Sequence, residues 1–158
     1  MAKASSVGAV LRIGLIAGTL DISENLVFNA FRHITPAMIF RYIASGLLGM
    51  AAIRGGAGMV TLGVAIHYTI ALAWTALYFL AARRWRLLVQ RPVACGLLYG
   101  ALVYAVMNFA VLPLTHVPHA RAAMSLASRA SGILALLVCI GLTVALLTAR
   151  EQREAGDA

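Results

Sequence analysis

Apolar residues in this chain fall into long runs, not into the narrow stripe of a helix with one wet face. Four runs reach or exceed the roughly 20 residues that a helix needs to cross a bilayer's hydrocarbon core. They cover about 7–31, 57–82, 92–114 and 128–149. The first is the most interrupted, by Arg12, Asp21, Glu24, Asn25 and Asn29, yet it holds no proline and keeps Gly14 and Gly18 on one side. Pro92 suits the first turn of the third helix, and Pro113 marks its exit.

The stretch 36–53 is apolar but carries Arg41, Ser45, Gly46 and Gly49, while Ile39, Tyr42, Ile43, Met50 and Ile53 recur near helical spacing. A full fifth span would put Arg41 in the hydrocarbon and move the C-terminus to the other face. A helix that lies on the membrane surface or re-enters partway is the preferred reading. Gly55, Gly56 and Gly58 then form a flexible turn into the second span. The expected fold is an all-α integral membrane four-helix bundle with one surface or re-entrant helix between spans one and two. It is expected to form a single domain through residue 150, with 151–158 as a polar, disordered cytoplasmic tail.

Composition sharpens this picture. Of 158 residues, 62% are hydrophobic and 11% charged, against about 25% charged in ordinary soluble domains. Such a chain cannot cover a water-facing surface, which excludes an ordinary soluble enzyme, a disordered chain and a free nucleic-acid binder. The net charge of +8 comes from basic residues at the ends of the apolar runs, where they orient helices in a bilayer. With the N-terminus inside, Lys3, Arg12, Arg83, Arg84, Arg86, Arg91, Arg150 and Arg153 lie on the inner side. Arg32, Arg41, Arg54, Arg121 and Arg129 lie outside, which is eight against five. Both termini are therefore expected in the cytoplasm. The first run reads as a retained span and not a cleaved leader, because Arg12 interrupts its core and no small-residue cleavage site precedes Asp21. Cys95 and Cys139 sit in separate apolar runs without a CxxC partner and read as small buried residues.

Candidate chemistry rests on helix faces. Gly14, Gly18, Asp21, Asn25 and Phe28 alternate steps of three and four, so they share a face, with Glu24 beside it. Gly63, His67 and Ala71 share a face of the second span. Gly96, Gly100, Tyr104 and Asn108 share one of the third. Small residues leading into a polar group are the mark of close helix packing joined by hydrogen bonds in lipid. At about 1.5 Å per residue, Asp21, His67 and Tyr104 each fall roughly 15 Å below the outer boundary. The expected arrangement is an inner layer of these three beneath a layer of Glu24 and Asn108, with Gly14, Gly18, Gly63, Gly96 and Gly100 as packing positions. Carboxylate with imidazole is a common proton-relay pairing. The competing reading is a structural hydrogen-bond cluster that fixes helix register.

The remaining signals are weaker. His116 and His119 flank Pro118 at a spacing that suits a metal but lack a third ligand. Haem needs a second axial histidine inside a span, and His67 has none. Arg12 reads as snorkelling to the inner interface, being about 13 Å along the helix from Asp21. Trp74 reads as packing and Trp85 as an interfacial anchor. No Walker loop, GxSxG, HExxH or dinucleotide fingerprint is present. No catalytic residue, metal site or cofactor is assigned.

Several phrases together resemble a group of small four-span proteins of the bacterial inner membrane. They are GLIAGTLDI at 14–22, YIASGLLGMAAIRGG at 42–56, LGVAIHYTIA at 62–71, GLLYGALVYAVMNFAVLPL at 96–114 and GLTVAL at 141–146. The resemblance implies a compact four-span membrane protein and brings no substrate, reaction or cofactor. Asp21, His67 and Asn108 fall inside the matching phrases; Glu24 and the loop histidines fall outside.

Three function classes follow. The leading one is an accessory or structural membrane protein that packs with itself or with a larger membrane complex, its partners being lipids and protein and not nucleic acid. The second is a minimal proton- or cation-coupled transporter or channel subunit using Asp21, Glu24 and His67. The third and weakest is an intramembrane lipid-acting enzyme with His67 as base. A sealed interior with an exposed small-residue groove would mark the first, a polar cavity touching Asp21 the second, and a lateral opening beside His67 the third.

Overall fold

The computed structural model describes residues 6–117 and 126–156, and all regular structure among them is helical. Lys3, His119, Arg121 and Asp157 lie outside the described residues. Span one is α1 (Ser6–Ala30). A turn with His33 in the left-handed region, at φ 57°, leads to α2 (Pro36–Leu48) and the short α3 (Met50–Arg54). Span two is α4 (Ala57–Arg84), followed by the single turn α5 (Leu87–Gln90). Span three runs from α6 (Pro92–Val106) through a π-helical stretch, Met107–Val111, into α7 (Leu112–Leu114). Span four joins α8 (Leu126–Ala135), a second π-helical stretch, Leu136–Leu142, and α9 (Thr143–Gly156). Four helices are thus long and apolar enough to cross a membrane, with a shorter apolar helix between the first two.

Local chemistry accounts for the boundaries. Thr35 caps α2, its Oγ1 accepting from Met38 N at 3.4 Å, and Pro36 fills the first helical position, where a missing N–H costs nothing. Thirteen residues extend only about 20 Å, short of the roughly 30 Å hydrocarbon core, so α2 does not span. Gly49, at φ 57°, separates α2 from α3 in a conformation that glycine adopts freely. The π-helical stretch in span three follows from Pro113. A proline has no N–H to donate, and its ring crowds the carbonyl four residues back. The turn widens and Leu112 N–H reaches the Met107 carbonyl, five residues back. In span four, Thr143 donates its N–H to the Val138 carbonyl, and its Oγ1 donates to the same oxygen at 3.1 Å.

The fourth span forms the centre of the bundle. It packs on α1, on α4 and, most extensively, on α6, while α1 and α4 pair directly and α2 lies along α4. Ile13 of α1, Tyr78 of α4 and Val144 of α9 are fully buried, among the small side chains Ala9, Ala17, Ala82 and Ala145. This core lies toward the arginine-rich end. Water does not drive it together, because lipid tails are as apolar as leucine. Close van der Waals approach and interhelical hydrogen bonds hold such helices. The glycines supply that approach. A Cβ on Gly141 would stand 2.7 Å from Gly100 N, and one on Gly96 2.9 Å from Gly141 O, so spans three and four touch backbone to backbone. Gly14 faces Leu72 and Thr75, and Gly18 faces Ala71 and Tyr68, all on α4. Gly63 lies against the backbone of Phe40, so the partner at this position is α2 and not another span. Near the arginine end, Tyr99 OH donates to Trp74 O at 2.6 Å and Tyr78 OH to Leu88 O at 3.3 Å, with Tyr99 edge-on to both rings.

One element differs from the expected tail. The fourth helix continues past Ala149 to Gly156. Helix periodicity brings Glu151 onto the bundle side, where it forms an ion pair with Arg12 of α1. Arg12 therefore has a partner, where the sequence suggested only snorkelling. Arg150 pairs with Glu154 one turn on, at 2.9 Å. Gln152 Nε2 donates to Phe79 O at 3.1 Å and Arg153 Nη2 to Val89 O at 2.7 Å.

Candidate functional site

The polar groups gather where α1, α4 and α8 meet, in the half of the bundle away from the arginine-rich end. The absence of a side chain at Gly18 leaves its carbonyl open to α4, and His67 Nε2 donates to that oxygen at 2.8 Å. On the next residue of each helix, Thr19 Oγ1 and Tyr68 OH hydrogen-bond at 3.0 Å. These two bonds set the register of α1 on α4. Asp21 follows one turn beyond Gly18. It is half-buried and lies within electrostatic reach of His67 and Glu24. Its carboxylate takes part in no hydrogen bond among the described residues.

Beyond Asp21, α1 exchanges α4 for α8 as its neighbour. Glu24 Oε1 accepts from Ser131 Oγ at 2.5 Å, and Arg32 Nη1 donates to Ser128 Oγ at 2.5 Å. Arg32 also lies 5.9 Å from the centre of the Phe28 ring. Cys139, on span four, lies within electrostatic reach of Asp21 and Glu24. The structure therefore brings Asp21, Glu24 and His67 together and adds Ser131 and Cys139.

The other sequence-selected residues make the following contacts. Asn25 is exposed, and Asn29 Nδ2 donates to its backbone carbonyl at 2.9 Å and to its Oδ1 at 3.2 Å. It shares a face with Gly18 and Asp21 on an ideal wheel. The opposing part of α4, around Gly63, is occupied by α2, and α1 has turned its contacts to α8. Tyr104 and Asn108 lie on span three, which packs chiefly on span four. Asn108 Nδ2 donates to Tyr104 O, one turn back, at 3.0 Å. His116 belongs to a different corner: its N–H donates to Gly46 O at 3.0 Å, which docks the chain after span three onto α2. Its companion in the sequence reading, His119, lies outside the described residues. Among the described residues no group of three or more His, Cys, Asp or Glu side chains could hold a metal ion.

Ser128 and Ser131 escaped the sequence reading. Their signal was the three-residue spacing of two hydroxyls at the start of an otherwise apolar run, which places both on one face of α8.

Chemically, the cluster offers carboxylates and an imidazole within electrostatic reach of one another for proton exchange, or it can lock three helices in register. Two open grooves lie at the opposite end, lined by Arg84–Leu88 in one case and by Arg83, Arg86 and Arg153 among others in the second; neither touches Asp21 or His67. No family model, curated protein or solved structure matches this chain.

Proposed function

We propose that this chain is a multi-pass protein of the bacterial inner membrane, with both termini in the cytoplasm, and that it serves as a small accessory or structural component that packs with itself or with a larger membrane complex. The observation that carries this reading is where the molecule spends its polar groups and its glycines. His67, Glu24, Tyr99, Arg12 and Gln152 all bond within the bundle. Gly14, Gly18, Gly63, Gly96, Gly100 and Gly141 are consumed between its own helices, while Gly58 and Gly132 meet nothing within 4 Å. What remains outward is a broad apolar surface, widest on span three, where 11% of the apolar window is buried, against 39% for span four. Leu98, Leu102 and Phe109 stand out from it, at 73%, 53% and 78% exposure. Association through this face therefore uses large side chains, where the sequence leads one to expect an exposed small-residue groove.

The test is subunit counting by single-molecule photobleaching in lipid vesicles, comparing the native chain with Leu98→Ala/Leu102→Ala. The expected result is self-association at low density that weakens at least tenfold in the variant. A native chain that stays monomeric at every density, in the absence of any added protein, refutes packing with itself and leaves a larger complex as the only form of this reading.

A second reading, a proton- or cation-coupled subunit, draws on one observation: the Asp21 carboxylate lies within electrostatic reach of an imidazole and a second acid and makes no hydrogen bond among the described residues. Proteoliposomes under an imposed pH gradient test it. Flux that is present in the native chain and lost in Asp21→Asn supports it, and absence of flux in the native chain removes it.

A further inference from the structure

At the arginine-rich end, α9 lies across the turn between spans two and three and encloses an open groove. Arg83, Arg86 and Arg153 line it, with Gln90 and Gln152 as neutral hydrogen-bonding groups and no acidic side chain. Its volume of about 340 Å³ falls within the range of small-ligand pockets, roughly 300–1,000 Å³. The acids nearest in sequence do not neutralise it. Glu151 is paired with Arg12 and Glu154 with Arg150. Arg153 is held in place by its bond to Val89 O, so one guanidinium of the groove is pre-oriented. A planar guanidinium with five donors matches a phosphate bidentately.

The groove also lies at the depth where phosphates occur in a bilayer. It is at the end of two spanning helices, next in the chain to Trp85, which is 63% exposed and suits the headgroup layer. Basic pockets between membrane helices are recognised binding sites for anionic headgroups.

We infer that the Arg83–Arg86–Arg153 groove binds the phosphodiester headgroup of an anionic phospholipid. The inference rests on the membrane-spanning character of the chain and not on its accessory role. It is indifferent to whether the molecule self-associates.

The experiment is native mass spectrometry of the full detergent-solubilised chain titrated with phosphatidylglycerol or with phosphatidylcholine. The expected result is at least tenfold tighter retention of phosphatidylglycerol. Arg86→Gln/Arg153→Gln should abolish that preference, while the charge-matched Arg54→Gln/Arg129→Gln, on side chains exposed away from this groove, should retain it. Retention should also survive 10 mM inorganic phosphate. Equal retention of the two lipids by the native chain overturns the inference, as does a preference that persists in Arg86→Gln/Arg153→Gln. Displacement by inorganic phosphate would mean that a free anion and not a lipid is the ligand, and would overturn it equally. Should the double variant lose its helical circular dichroism, the single Arg86→Gln, at an exposed side chain, decides by the same criterion. Self-association that persists while the lipid preference fails separates this inference from the accessory reading.

Discussion

Gly141 shows how much rests on single residues here. With Gly96 and Gly100 it lets two spans meet at backbone distance. Gly141→Val should cost about 3 kcal/mol through overpacking, because the atoms it meets are main chain and cannot swing aside. Gly58→Ala, where nothing lies within 4 Å, should be neutral or slightly stabilising. Thermal denaturation of both in one detergent, followed by circular dichroism, checks the pair; equal midpoints would contradict the close approach. The sequence made Gly96 and Gly100 visible through their four-residue spacing, but it did not mark Gly141, which has no second glycine at helical spacing beside it. The same limit applies at the polar cluster. Asp21 and His67 were legible because ionisable side chains are rare in apolar runs. The acceptor of the His67 proton was not legible, because a backbone carbonyl such as that of Gly18 has no signature in side-chain patterning. Ser131 was hidden for a related reason, since one hydroxyl barely interrupts an apolar run.

At the scale of elements, hydrophobic length located the spans, and the short α2 followed from its length and from the burial cost of Arg41. Register within the spans was harder to read. Pro113 reads as an exit signal, yet its effect extends backward: the widened turn at Met107–Val111 rotates everything on the near side of span three relative to an unbroken helix. Asn108 lies inside that turn, so the face it shares with Gly96, Gly100 and Tyr104 on an ideal wheel is not kept through residue 111. Pro113→Ala should restore a donor at position 113 and let the turn tighten to ordinary four-residue bonding. The expected outcome is slower amide hydrogen exchange over 111–115 by at least tenfold, with the exchange of α4 unchanged. Unaltered exchange at 111–115 would show that another constraint, and not the missing N–H, holds the turn open.

For the whole molecule, periodicity could say that four helices cross but not which ones touch. The order of neighbours, with span four central and span three packed on it, depends on shape matching between glycines far apart in sequence. The ends of the bundle depend on residues that look like tail. Arg12 and Glu151 are 58% and 18% exposed, and a pair of this kind contributes roughly 0.2–1 kcal/mol. Arg12→Glu alone should lower stability by about that amount or somewhat more, since it sets two acids face to face. The exchanged double variant, Arg12→Glu/Glu151→Arg, should recover most of the loss, as read from denaturation midpoints at low and high salt. Additive losses in the double variant would mean that the two residues do not act on one another.

The run of α9 beyond the apolar limit has a consequence for biogenesis. Its final turns clasp the first helix through Glu151, the second through Gln152 and the following connector through Arg153, yet they are translated after every helix they hold. The earlier segments therefore enter the bilayer without these three contacts, held at their arginine ends only by bonds such as Arg83 to Ser6 and Tyr99 to Trp74, until the ribosome has delivered the clasp. A stop codon placed just after Ala149 would remove no membrane-crossing residue, and its product should nevertheless be a preferred target of membrane quality-control proteases.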